Sequence, residues 1–265
     1  MSRRVMLVVV LLLAAVGAGC GGTSTRGQVD GYVKAANAVQ ASAAGPFAQA
    51  NRSYARFQSR RLNDPGDVER LSAAETAIRR TKARLARIPA PSAARQLRTK
   101  LLLVYSLNAS LAHETVLLAR YGPARQRVLD AVTRANRRLV SALKRANQPS
   151  AQAAALTDYR RRLDRAIASL KRLHAPPVVR SMHRAQLKRL AASRRLAGAL
   201  RGAVRARDAR RTAKLVIAFR QVGNVRAGER ALQERDLAAY VERRRAIADA
   251  VAQVTRERAR LDRAK

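Results

Sequence analysis

Residues 156–177 read LTDYRRRLDRAIASLKRLHAPP, and the spacing inside this stretch decides the fold. Leu156, Tyr159, Leu163, Ala166, Leu170 and Leu173 step by alternating three and four residues, which places them on one stripe of an α-helix. Ala175-Pro176-Pro177 then ends it, because a proline forces the residue before it out of helical geometry. The same step recurs in Leu97, Leu101, Val104, Asn108, Leu111, Thr115 and Leu118. Val128, Val132, Ala135, Leu139 and Ala146 carry it further along, as do Leu237, Val241, Ile247, Val251, Val254 and Leu261 near the end. No segment alternates with period two over a useful length, so the expected fold is all-α: an elongated bundle of long antiparallel helices.

Proline and glycine divide the chain into expected helices. They span about 27–61, with an interruption at Gly45-Pro46, then 67–88, 92–120, 124–147, 151–173, 177–206, 209–232 and 235–262. Asn63-Asp64-Pro65-Gly66-Asp67 reads as a turn with Asp67 as N-cap. Gly122-Pro123 reads as the end of the third helix, and a weaker break is expected near Asp208. A shift of 85 residues lays Leu71, Ile78, Leu85 and Ile88 on Leu156, Leu163, Leu170 and Leu173, and Ala90-Pro91 on Ala175-Pro176. An internal duplication is therefore expected, with repeat-like segments at about 67–122 and 151–206.

The chain begins MSRRVMLVVVLLLAAVGAGCGGTSTRG. Arg3 and Arg4 precede an apolar run from Val5 to Val16 and then the small residues Gly17, Ala18 and Gly19, the plan of a secretory signal peptide over 1–19. The run is shorter than the roughly 20 apolar residues a spanning helix needs. Gly17-Ala18-Gly19-Cys20 resembles the lipobox of bacterial lipoproteins, although Gly17 stands where Leu or Val is usual. The resemblance implies that Cys20, the one cysteine of the chain, is diacylated after the leader is removed. Several acyl chains, at about 0.8 kcal/mol per buried methylene, give stable anchoring where one would be marginal. Residues 20–27 are then a lipidated cysteine with a flexible tether, and 28–265 the helical domain, held outside the cytoplasmic membrane. The fragments RLARIPAP and SLKRLHAPP resemble a helix–PP–helix pattern of uncharacterised actinobacterial lipoproteins, and the bias toward Arg and Ala suggests a GC-rich genome.

The 265 residues hold 55 basic and 17 acidic side chains, a formal charge of +38. Loss of residues 1–19 removes two arginines and no acid, leaving +36. Such a surface is drawn to anionic lipid head groups or envelope polyanions, with each basic group near an anionic leaflet contributing on the order of 1 kcal/mol. The runs Arg160-Arg161-Arg162, Arg194-Arg195, Arg210-Arg211 and Arg243-Arg244-Arg245 are the candidate polyanion-binding residues. Nucleic acid is disfavoured, since stacking aromatics and a recognition module are missing and the leader directs the chain away from the genome.

No nucleophile elbow, phosphate loop or dinucleotide fingerprint occurs in the sequence. His113, His174 and His183 are dispersed, without metal-ligand spacing. The expectation is a non-catalytic module with no cofactor and no metal. The alternative is a lipoprotein that holds a small ligand or metal between helices through His113, His183 or the seam residue Asn108.

Overall fold

The structure, a computed structural model, describes residues 25–45, 47–49, 52, 65–224 and 226–263. The leader, Cys20, Pro46 and most of the expected 27–61 helix beyond residue 52 lie outside the described residues. The helices are α1 (Thr25–Ala41), α2 (Pro65–Arg87), α3 (Arg95–Arg145), α4 (Pro149–Lys171), α5 (Arg180–Arg205), α6 (Ala209–Asn224) and α7 (Arg226–Arg263). Short 3-10 turns at Ser92–Ala94 and Pro177–Val179 precede α3 and α5. The fold is an all-α helical bundle, with no strand among the described residues.

Two compact units divide the chain: residues up to Ala119 together with Tyr240 onward, and Arg120–Ala239. In the first unit, Val29, Tyr32 and Ala36 of α1 share a core with Ile78 and Leu85 of α2 and with Leu97, Leu101 and Tyr105 of α3. Val254 and Leu261 of α7 complete it. Glu257, only 4% exposed, is held between Lys100 Nζ at 3.2 Å and Arg260 Nη2 at 2.7 Å. In the second unit, Leu156, Tyr159, Leu163 and Leu170 of α4 pack on Leu190, Ala197 and Leu200 of α5 and on Ala135 and Leu139 of α3. Leu215, Val216 and Phe219 of α6 are half-buried against the same cluster. Full burial of each large aliphatic side chain is worth about 1.5–3 kcal/mol, so these rows supply most of the driving force.

Each proline corner has the same construction. Pro91 (φ −59°, ψ 159°) and Pro176 (φ −55°, ψ 151°) are extended, and their carbonyls accept from Ala94 N–H at 2.9 Å and Val179 N–H at 3.0 Å. The extended proline stops one helix, and the 3-10 turn starts the next.

Several expected boundaries are corrected. Gly122-Pro123 does not end a helix, because α3 runs unbroken from Arg95 to Arg145. Proline removes one N–H from the ladder at about 3 kcal/mol in a helix interior. Buried Val116, Ala119 and Tyr121 before it, and Ala135 and Leu139 after it, hold the chain helical on both sides, while Gly122 and Pro123 face solvent. Pro65, Gly66 and Asp67 are helical, in α2, where a turn was expected; Asn63 and Asp64 lie outside the described residues. Asp67 lies inside the first helical turn, accepting from Arg70 Nη2 at 2.8 Å, and its carboxylate favours the helix N-terminus. The break expected near residues 233–234 is not there, because α7 runs from Arg226 to Arg263; residue 225, between α6 and α7, lies outside the described residues. Val241, assigned to the apolar seam, is half exposed.

The break at Asp208 is present. Arg207 adopts φ 53°, Asp208 N–H donates to Ala203 O at 3.0 Å and Arg207 N–H to Val204 O at 3.1 Å. This is a Schellman stop. Asp208 then caps α6, its Oδ1 accepting from Arg211 N–H at 2.8 Å. Ser92–Arg145 contains an 18-residue window of mean hydropathy 1.4, which by length and composition alone could cross a membrane; half of that window is buried within the fold, as in a core helix.

Candidate anion-binding site

The ten arginines singled out by their runs do not act as one group. Arg243, Arg244 and Arg245 belong to the first unit and the other seven to the second. Arg243 is paired with Glu114 of α3. Arg162 Nε donates to Asp158 Oδ2 at 2.7 Å one turn earlier on α4, and Arg194 of α5 is paired with Asp164 of α4. Arg160 is half-buried and lies across α5 at Gly198, where an added Cβ would stand 3.5 Å from its Nη1. Arg161, Arg195, Arg210, Arg211 and Arg245 are exposed, and Arg244 is half-buried. Two of the ten, Arg194 and Arg243, thus tie one helix to another.

A different set converges. Arg127, Arg134 and Arg138 of α3 and Arg162 and Arg165 of α4 line a cleft of about 430 Å3 in the second unit. Its floor is small and apolar: Val128, Ala131, Ala135 and Ala166. None of the residues lining it is acidic. Arg127, Arg134 and Arg138 have no carboxylate partner among the described residues. The local field is visible at Asp158: the Arg162 hydrogen bond, reinforced by the charges of Arg162, Arg161 and Arg165, holds its carboxyl below the usual range against a smaller effect of burial.

Of these five only Arg162 belongs to the runs singled out above; Arg138 follows Arg137 in a pair that is not among them. Arg127, Arg134 and Arg138 are separated by seven and four residues, one face of a helix, and that spacing was the available signal. The spacing lies wholly within the helix expected over 124–147, beside the Val128–Ala135 seam; what the sequence did not show is that α4 brings Arg162 and Arg165 opposite it.

A second polar cluster is buried in the same unit. His183 Nδ1 lies 3.0 Å from Tyr121 Oη, with the rings edge to face at 5.8 Å. Arg125 Nε donates to Gln186 Oε1 at 2.9 Å. Burial, reinforced by the Arg125 charge, lowers the His183 pKa and keeps the imidazole neutral. Burial raises the Tyr121 pKa, against the opposing pull of Arg125.

The other residues of the ligand-binding alternative are engaged separately, in the first unit. Asn108 is buried and its Nδ2 donates to Val104 O at 2.9 Å. His113 Nδ1 is 3.0 Å from Glu75 Oε1, the same oxygen that Arg79 Nη2 approaches at 3.0 Å. His174 is exposed. Among the described residues, no three His, Cys, Asp or Glu side chains are placed to hold a metal ion. Compared with family models, curated proteins and solved structures, the chain finds no match in any of the three.

Proposed function

We propose that this chain is a non-catalytic envelope lipoprotein, anchored through acylated Cys20, whose basic helical domain is an interaction or structural module at an anionic surface outside the cytoplasmic membrane. The observation that carries this reading is the arginine-lined cleft in a chain of formal charge +38: three of its guanidinium groups have no carboxylate partner, so their charge is available to an external anion. Guanidinium forks match phosphate and carboxylate oxygens two at a time. The lipobox-like Gly17-Ala18-Gly19-Cys20 supports the anchor, and the polar composition of Gly21-Gly22-Thr23-Ser24 suits a tether.

The surface reading is tested with the mature chain, residues 20–265, carrying Cys20→Ser so that no acyl chain contributes; this change touches none of the described residues. The chain is expected to sediment with anionic vesicles and to be released as salt rises from about 0.05 to 0.5 M, because screening shortens the Debye length from well over 10 Å to a few ångströms. Equal retention on neutral and anionic vesicles, or no salt dependence, overturns the reading. The anchor is tested separately by palmitate labelling of the full-length chain, which Cys20→Ser should abolish.

A further inference from the structure

We infer that the cleft between α3 and α4 is a defined binding site for a phosphate monoester attached to an apolar body. The inference rests on the anionic-surface reading and narrows it from a diffuse charge to one place. Three features combine. Guanidinium groups enter from both walls: Arg127, Arg134 and Arg138 from α3, Arg162 and Arg165 from α4. No lining residue is a carboxylate, and of the five only Arg162 spends a hydrogen bond on one, Asp158. The floor between the walls is aliphatic and built from small residues, which is why the space is open.

These features select the ligand class. A cleft of about 430 Å3 falls within the roughly 300–1,000 Å3 of small-molecule sites and exceeds what a bare inorganic ion would occupy. A dianionic phosphate ester offers three oxygens to the guanidinium forks, more than a carboxylate can. The alanine and valine floor gives an attached apolar group a surface to cover, which a fully hydrophilic polyanion would leave wet. The ester can come from a lipid headgroup in a bilayer or from a free phosphorylated amphiphile, and both present the same chemistry.

Arg134, Arg138 and Ala131 are exposed, so their replacement leaves the core intact. The mature Cys20→Ser chain is titrated calorimetrically with dihexanoyl phosphatidic acid below its micelle concentration and with inorganic phosphate. In parallel it is sedimented with phosphatidylcholine vesicles containing dioleoyl phosphatidic acid. The short-chain ester should bind at least about tenfold more tightly than inorganic phosphate. Arg134→Gln with Arg138→Gln should weaken it at least about tenfold, and so should Ala131→Glu, which sets a carboxylate in the cleft. The control pair Arg205→Gln with Arg220→Gln, exposed in the same unit and absent from the cleft lining, removes the same charge and should cost less than about threefold.

Equal losses in the cleft and control pairs, or inorganic phosphate binding as tightly as the ester, overturn the site while salt-sensitive vesicle binding preserves the broader reading. Absence of any binding to anionic vesicles overturns both. If the cleft variants lose vesicle binding together with the soluble ester, the source is a lipid headgroup. If they lose only the soluble ester, the source is a free amphiphile. Either result supports the site.

Discussion

Two segments of the chain, 67–122 and 151–206, share a backbone plan and differ in what fills it. At an offset of 85 residues the deepest side chains coincide: Leu71, Ile78 and Leu85 in the first, Leu156, Leu163 and Leu170 in the second, all 2% exposed or less. The corner hydrogen bonds coincide too, since Ile88 N–H to Leu85 O becomes Leu173 N–H to Leu170 O, at 3.3 and 3.0 Å. The polar content diverges. Arg98 donates to Ala86 O near the end of α2, whereas the corresponding His183 meets Tyr121. Leu101 is buried in an apolar core, whereas the corresponding Gln186 accepts from Arg125. Periodic leucines and a proline specify such a corner, and the residues packed around it are then free to serve other ends.

The cleft shows the consequence. Its α4 residues Arg162, Arg165, Ala166 and Ser169 correspond to Ala77, Arg80, Thr81 and Arg84 of α2. In the first unit α1 packs against α2, and Arg84 Nη1 donates to Ser42 Oγ at 3.0 Å just beyond the end of α1. In the second unit the later half of α3 lies beside α4 instead, and its alanines leave the space open.

The core pair offers the largest effect. Ile78→Ala and Leu163→Ala each remove a fully buried aliphatic group, at a cost of about 2–5 kcal/mol. Denaturant unfolding followed by hydrogen exchange should place each loss in its own unit. A large cost at one position and a negligible one at the other would break the correspondence.

Next come the two helix ends, where the punctuation is inverted. Gly122-Pro123 would ordinarily stop a helix yet lies within α3, while the corresponding Arg207-Asp208 stops α5 with an arginine in the left-handed region. Pro123→Ala should stabilise the chain, by up to about 3 kcal/mol, since it restores a helical N–H. Arg207→Gly should stabilise by about 0.5–1 kcal/mol, because glycine takes φ 53° without strain. Thermal melts check both, and a destabilising Pro123→Ala would mean that the helix needs its proline.

The smallest expected effect is pH dependence at the second corner. His183 titrates below its ordinary value of 6.5 in the folded chain, so the neutral imidazole is the form the fold favours. Its contribution is complete above the unfolded pKa and is lost as pH falls from there through the lowered folded value. The groups facing it are Tyr121, Arg125 and Gln186. Exchange protection in α5 should therefore weaken as pH drops from about 7 to 5, and His183→Gln should flatten that slope. The first corner carries Arg98 at this position and supplies no such slope; an unchanged profile in the variant would remove His183 as the cause.

Sequence alone determined the helical class, both proline corners and the inward rows of α2 and α4, because these follow from local sterics and from a period of 3.6 residues. It also marked Asp208 as a break, since a capping side chain acts within its own turn. Tertiary structure decided that α3 continues through Pro123, because burial on both sides outweighs one lost hydrogen bond. It likewise decided which arginines remain available. The runs advertise charge, but pairing with Glu114 and Asp164 and the gathering of Arg127, Arg134 and Arg138 beside α4 depend on which helices become neighbours. That neighbourhood is a property of packing, to which no local spacing has access.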